Sequence, residues 1–164
     1  MNNFVTVKAF KHFEKVFFYA FQVEGEEETE PGKFFTRFEN DVDLEEDLNN
    51  LVAWMEEIGE KRGAREFLFR FEESAQALPP RAKFLVKLPV RDLRLYCVRL
   101  SDEIVILANG GIKTSQKVAD SPDLFANFRF ANLVAKRITE MVQAKELRFA
   151  GKTIFDLEKL EIEI

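Results

Sequence analysis

Two largely apolar runs, Leu93 to Leu100 and Glu103 to Ala108, are separated only by Ser101-Asp102. A joint that short leaves two extended segments little choice but to fold back as an antiparallel hairpin, and buried backbone N–H and C=O groups then pair across it. Alternation puts Leu93, Leu95 and Cys97 on one face of the first strand and Arg94, Tyr96 and Val98 on the other. Val16 to Val23, reading V-F-F-Y-A-F-Q-V, suits a further strand buried on one or both faces.

Helical periodicity is clearest from Leu44 to Ile58, where Leu44, Leu48, Leu51, Val52, Met55 and Ile58 form one apolar stripe. Asp43 is placed to cap it, with Glu46 three residues on as in a capping box. Gly59 or Gly63 ends it, and Lys61 and Arg62 suit the negative end of the helix dipole. A second helix is expected over Phe130 to Val142, with Phe130, Val134, Ile138, Met141 and Val142 inward. Glu24 to Gly32 reads as a loop closed by Pro31-Gly32. Glu66 to Phe71 alternates, with Phe67, Phe69 and Phe71 on one face. Leu78-Pro79-Pro80 breaks the pattern, Phe84 to Leu88 is a short strand, and Asn109-Gly110-Gly111 marks a sharp turn. The segment from Leu147 is mixed and closes in an alternating strand, Leu160 to Ile164. These elements predict an α+β fold with a mainly antiparallel sheet packed by helices. At 164 residues the chain has the length of a single domain, 1–164.

Charge is segregated along the chain. From Glu24 to Glu60 there are 14 acidic residues against two basic ones, whereas Arg81 to Lys117 carries eight basic against three acidic. The net charge of -5 argues against general nucleic-acid binding, which is driven by phosphate neutralisation, but leaves a local basic surface possible. Cys97 is the only cysteine, Met1 to Lys8 lacks a long apolar stretch, and no run approaches a membrane span. A reducing cytoplasm is the compartment this composition suits.

Several familiar chemistries find no support. His12 is the only histidine, so a histidine-based metal site or a Ser-His-Asp triad lacks partners. Cys97, in mid-strand, reads as packing. Gly110-Gly111-Ile112-Lys113-Thr114 departs from a phosphate loop, because Ile112 stands where the second glycine belongs. The acidic run Glu24 to Glu30 lacks the alternating ligands of a calcium loop and reads as solvated. No cofactor is implied.

The basic set is the remaining candidate. Arg94, Arg99, Lys113 and Lys117, with Tyr96, lie on the hairpin and its exit. Cations around a scissile phosphate stabilise charge that builds in the transition state. Tyr96 or a lysine is placed to move a proton, or Tyr96 to stack a base. Alternation sends Arg99 to the face opposite Arg94 and Tyr96. The plain alternative is a charged sheet edge kept from aggregating.

Arg65-Glu66-Phe67-Leu68-Phe69-Arg70, Leu93-Arg94-Leu95-Tyr96, Ile104-Val105-Ile106-Leu107, Asn109-Gly110-Gly111 and Lys113-Thr114-Ser115-Gln116-Lys117 follow one another in an order that resembles the RelE/HigB superfamily of toxins from toxin-antitoxin pairs. Ala77-Leu78-Pro79-Pro80, with Leu93 to Cys97 and Asn109 to Lys113, also looks like an uncharacterised Bacteroides-type family. The resemblance spans roughly residues 65 to 140. It implies a RelE-like core over 64–164, preceded by a strand-and-helix extension over 1–63. It further implies a metal-independent, ribosome-dependent mRNA endonuclease using the RNA 2′-hydroxyl as nucleophile. Arg94, Tyr96, Lys113 and Lys117 would be catalytic and Arg70 and Arg99 would contact RNA. A helix-turn-helix antitoxin would be the partner. The paired lysines usual at the exit are Lys113-Thr114 here. The extension would be a cover, a docking surface or a mark of lost catalysis. Two other readings stand beside this one. One is a non-catalytic interaction module using the acidic helix face of Glu45, Glu46, Asp47 and Glu56. The other is a toxin that binds a protein target such as gyrase.

Overall fold

The computed structural model describes residues 4–84 and 87–164. Its framework is one seven-stranded sheet built from β1 (Phe4–His12), β2 (Phe17–Val23), β3 (Arg70–Glu72), β4 (Ala75–Leu78), β5 (Leu93–Arg99), β6 (Ile104–Ile112) and β9 (Glu161–Glu163), the last numbered after a small hairpin, β7 (Phe149–Ala150) and β8 (Thr153–Ile154). The order across the sheet is β3-β4-β5-β6-β2-β1-β9. Every neighbouring pair is antiparallel except β2 and β6, which run parallel. The α+β class and the mainly antiparallel sheet are thus as expected. Residues 1–63 supply β1 and β2, which sit inside the sheet between β6 and β9.

Both faces of the sheet are covered, which is why its central strands are apolar almost throughout. On one face α1 (Glu30–Phe38), α2 (Glu45–Glu57) and the wide turn after it pack Phe34, Phe38, Leu48, Leu51, Trp54 and Ile58 against Phe18, Leu93, Leu95, Cys97, Val105 and Leu107. On the other, α3 (Pro122–Gln143) lays Leu124, Ala131, Val134, Ala135 and Ile138 over Tyr19, Phe21, Tyr96, Val98, Ile104 and Ile106. The division of β5 into a Leu93/Leu95/Cys97 face and a Tyr96/Val98 face follows the sequence alternation. Cys97 is fully enclosed in the first core, and burial pushes its thiol up.

Local chemistry explains where expectation and structure part. Pro31-Gly32 opens α1 rather than closing a loop: Thr29 caps the helix by accepting from the Gly32 N–H at 3.1 Å, and proline suits the first turn. Asp43 does not cap α2. Asp41 instead accepts from the Asp43 N–H, holding a short 3₁₀ turn (Val42–Leu44) that leads into the helix. Gly63 ends the helical run with φ of 78°, after a wide turn in which its N–H reaches Ile58 O. Val52 lies on the outer side of α2 and Trp54 takes the inner one. Glu66–Leu68 is a 3₁₀ turn, so Leu68 and, of the three phenylalanines, only Phe69 enter the core, and Phe67 and Phe71 stay 53% and 56% exposed. Phe84 ends another 3₁₀ turn, and Leu85 and Val86 of the expected short strand lie outside the described residues.

The largest difference is at Asn109-Gly110-Gly111, which runs on as strand to Ile112 instead of turning. Gly110 faces Leu95 and Gly111 faces Arg94. A Cβ on Gly110 would overlap the Arg94 carbonyl oxygen, and one on Gly111 would overlap the Asp123 carboxylate. The glycines therefore serve close approach inside a sheet. Between Leu95 and Cys97 the register shifts by one, so Ala108 and Asn109 together oppose Tyr96.

Among the described residues no helix is long and apolar enough to cross a membrane. Leu51→Ala should destabilise the chain by about 2–5 kcal/mol, whereas Val52→Ala should stay within about 0.5 kcal/mol. Urea unfolding of both variants checks this, and equal, small effects would contradict the packing of α2.

Candidate functional site

Beyond Leu107 the strand β6 has no neighbour on its β2 side, since β2 pairs only with Ile104 to Leu107. Its backbone groups there need other partners. Helix α3 supplies them. Asp123 accepts from the Ile112 N–H at 2.5 Å, and Asn127 donates to Gly110 O at 2.8 Å. One turn further, Asn132 Oδ1 accepts from the N–H groups of Ser74 and Ala75, fixing the β3–β4 turn. Asp123 also pairs with Arg37 of α1, tying the helix layers together round the end of the sheet. On the opposite face, Asp47 of α2 accepts from the N–H groups of Arg91, Asp92 and Leu93 at 3.0, 2.7 and 3.2 Å, which sets the entry of β5.

These tethers frame a charged cluster under the N-terminal half of α3. In register, Arg70 opposes Ala77, and Ala77 opposes Tyr96. Arg94 lies two residues before Tyr96 on the same face, opposite Gly111, and Lys113 follows two residues beyond. Alanine and glycine at the intervening places leave the room that the long side chains fill. Arg94 is 9% exposed and donates from Nη1 to Leu93 O at 2.8 Å. Arg70 donates from Nε to Pro79 O at 2.9 Å and from Nη2 to Pro80 O at 3.3 Å. The Leu78-Pro79 peptide is cis, and the two prolines turn the chain so that their carbonyls face Arg70. Glu72, half-buried on the same face of β3, completes the group.

The electrostatics follow from this crowding. Burial lowers the pKa of Arg94, and the Arg70 charge lowers it further. Lys113 is lowered by burial and then by Arg94 and Arg70, partly offset by Glu72. Arg70 is lowered by burial, with Glu72 opposing and Arg81 adding to the effect. Glu72 is raised by burial, although Lys113, Arg70 and Arg94 pull it back. Glu72 thus acts on all three cations, and Asp47 acts on Arg94 as well. Beside them the Tyr96 hydroxyl is buried with no hydrogen-bond partner, and burial pushes its pKa up, with Glu72 adding to the effect, so it keeps its proton. Phe128 packs edge-on at 5.9 Å against the fully buried Tyr96 ring, which leaves no platform there for a base.

Of the residues singled out from sequence, the fold brings together Arg70, Arg94, Tyr96 and Lys113. Arg99 lies elsewhere. Its guanidinium donates to Ala64 O and pairs with Asp102 at the hairpin tip, on the face opposite Tyr96. Lys117 begins the 3₁₀ turn Val118–Asp120, its N–H directed to Ser115 Oγ, in the loop before α3. His12 stacks on Phe17 at 3.8 Å at the end of β1. Asp47, expected on an outer acidic face, is buried by its three backbone bonds, whereas Glu45, Glu46 and Glu56 are exposed. Sequence reading missed Glu72, whose one signal is its i,i+2 spacing from Arg70. Among the described residues no three histidine, cysteine or acidic side chains converge as metal ligands. Comparison of the chain with protein-family models, with curated proteins and with solved structures gave no match.

Two outcomes follow for stability. A buried donor left unmade destabilises by about 1–3 kcal/mol, so Tyr96→Phe should leave the chain as stable or more stable by up to that amount. A loss above about 1 kcal/mol on urea unfolding would mean that the hydroxyl is paired. Because the Glu72 pKa is raised on folding, its protonated form favours the folded state. Wild-type stability should therefore fall as pH rises from the ordinary carboxylate range through the raised Glu72 value. Glu72→Gln should flatten that decline in urea midpoints taken across the window, and an unchanged slope would contradict the assignment.

Proposed function

We propose that this chain is a toxin-like protein of a toxin-antitoxin pair, acting as a metal-independent endoribonuclease on ribosome-bound mRNA. One arrangement carries the reading: across the sheet Arg70 stands beyond Ala77 from Tyr96, Arg94 precedes Tyr96 by two residues opposite Gly111, and Lys113 follows two residues after Gly111, on the face where the buried Tyr96 hydroxyl has no hydrogen-bond partner. Cations grouped on and just beyond paired strands suit a phosphodiester, whose charge increases as the 2′-hydroxyl attacks. Lys113, the outermost of the three on the strand exit, meets the phosphate, with Arg70 beside it. Arg94, held by Leu93 O, and the Tyr96 hydroxyl stabilise the oxyanion from beneath. Lys117 lies on the approach and contacts flanking phosphates. The partner is a helix-turn-helix antitoxin that covers the cluster.

A second reading is favoured by the burial of Tyr96 and the exposure of Phe67 and Phe71: a non-catalytic interaction module on the same fold. The two diverge on expression. Tightly induced wild-type protein should arrest growth and generate new mRNA 5′ ends, and Lys113→Ala should lose both. Normal growth at good expression, with no new ends, would replace the ribonuclease with the interaction module.

A further inference from the structure

Among the described residues β3 is one outer strand of the sheet and β9 is the other. An outer strand presents unpaired N–H and C=O groups, so another chain can add to it unless its side chains prevent that. The two edges differ in this respect. β9 reads Glu161-Ile162-Glu163, with both glutamates exposed. Paired antiparallel with a second β9, each glutamate would meet another, and like charges directly opposite destabilise a strand pair. β3 reads Arg70-Phe71-Glu72, and its order of charges is self-complementary. Paired antiparallel with its own copy about Phe71, it sets Arg70 of each chain against Glu72 of the other. Pairing of β3 with β9 would match Arg70 but set Glu72 against a glutamate. Self-pairing of β3 is therefore the edge-to-edge arrangement that matches both charges.

The side chains of this edge agree. Among the described residues neither Arg70 nor Glu72 forms an ion pair within the chain. The Arg70 guanidinium is directed by Pro79 O and Pro80 O, neutral acceptors that leave its charge uncancelled. Phe71 is exposed on the other face of the strand, and the turn that leads into β3 carries a second exposed ring, Phe67, against Phe84 at 5.7 Å. We propose that the β3 edge binds a second copy of this chain, as an antiparallel β3–β3 pair about a two-fold axis at Phe71 that joins the two sheets into one. The axis stands perpendicular to the sheet. Both α3 helices therefore lie on one side with the two Arg70–Glu72 pairs, and the two Phe71 rings meet on the other. The contact uses the same surface on each chain and closes at two. Three residues of strand make a small interface, so the dimer forms at high protein concentration and dissociates on dilution. It does not rest on the reading of the cluster as phosphate-binding.

Sedimentation velocity of the full-length protein, from the low micromolar to the millimolar range, reads the assembly. Wild type should pass from one chain mass to two. Phe71→Lys puts like charges on the axis at a side chain that is already exposed, so it should stay monomeric over the same range with its urea midpoint unchanged. Arg70→Glu leaves only acidic charges on the strand and Glu72→Arg only basic ones. Each should be monomeric alone, and an equimolar mixture should dimerise at least as tightly as wild type. A thiol test needs neither charge variant. Cys97 is fully buried, so in Phe71→Cys the introduced thiols are the accessible ones, and on oxidation they should join two chains across the axis. Glu161→Cys, on the β9 edge, should not. Wild type that stays monomeric throughout, or a dimer that survives Phe71→Lys, would overturn the proposal. A mixture of the two folded charge variants that stays monomeric would overturn it too, as would crosslinking through Glu161→Cys in place of Phe71→Cys.

Discussion

Gly110 lies so close to the Arg94 carbonyl that no side chain fits between them, and much of the structure depends on that approach. It lets β6 continue beside β5 past the point where β2 stops, and it sets Arg94 across from Gly111. The strand end, left without a neighbour, is closed by Asp123 and Asn127 of α3. The helix is thereby fixed over Tyr96, and Lys113 leaves the sheet two residues after the glycine that faces Arg94. A bulkier residue at 110 would have to separate the two strands and would disturb the helix contact and the cation cluster together.

The cluster is held by backbone carbonyls more than by counter-charges. Leu93 O takes the Arg94 guanidinium, and Pro79 and Pro80 take Arg70. Neutral acceptors fix the direction of a cation without cancelling its charge, so the field of the three cations survives partial burial. Arg99 is the contrasting case: Asp102 neutralises it at the hairpin tip. The same chain thus carries arginines of two kinds, and their partners separate an ion pair from guanidinium groups held by neutral carbonyls.

Much of this was legible in the sequence where one residue type answers to one constraint. The β5 alternation, the β5–β6 hairpin, α2 and the closing strand follow from apolar spacing, because burial leaves few ways to arrange it. The failures come where a residue serves two opposite purposes. Glycine marks turns and also close strand contact, and only the position of Arg94 O distinguishes the two at Gly110. Proline ends helices and also opens them, and the Thr29 cap decides the matter at Pro31. An aspartate on a helix face reads as solvated until three N–H groups from a distant segment reach it, as at Asp47. The grouping of Arg70, Arg94, Tyr96 and Lys113 follows the order of the motifs along the chain, but the membership of Glu72 depends on pairings through β4 that no local pattern encodes.

The central claim is that this cluster grips the phosphate backbone of RNA, and the dependence of binding on salt tests it most directly. The affinity of a short single-stranded RNA is measured by fluorescence anisotropy over a range of salt concentrations, for wild type, Lys113→Ala and Lys8→Ala, the last altering an exposed lysine on β1. Each phosphate contact contributes about 0.7 to the slope of log affinity against log salt on single strands, so Lys113→Ala should lower the slope by about that amount. Lys8→Ala should leave it unchanged. Equal slopes for all three proteins, or no binding at low salt, would contradict the account.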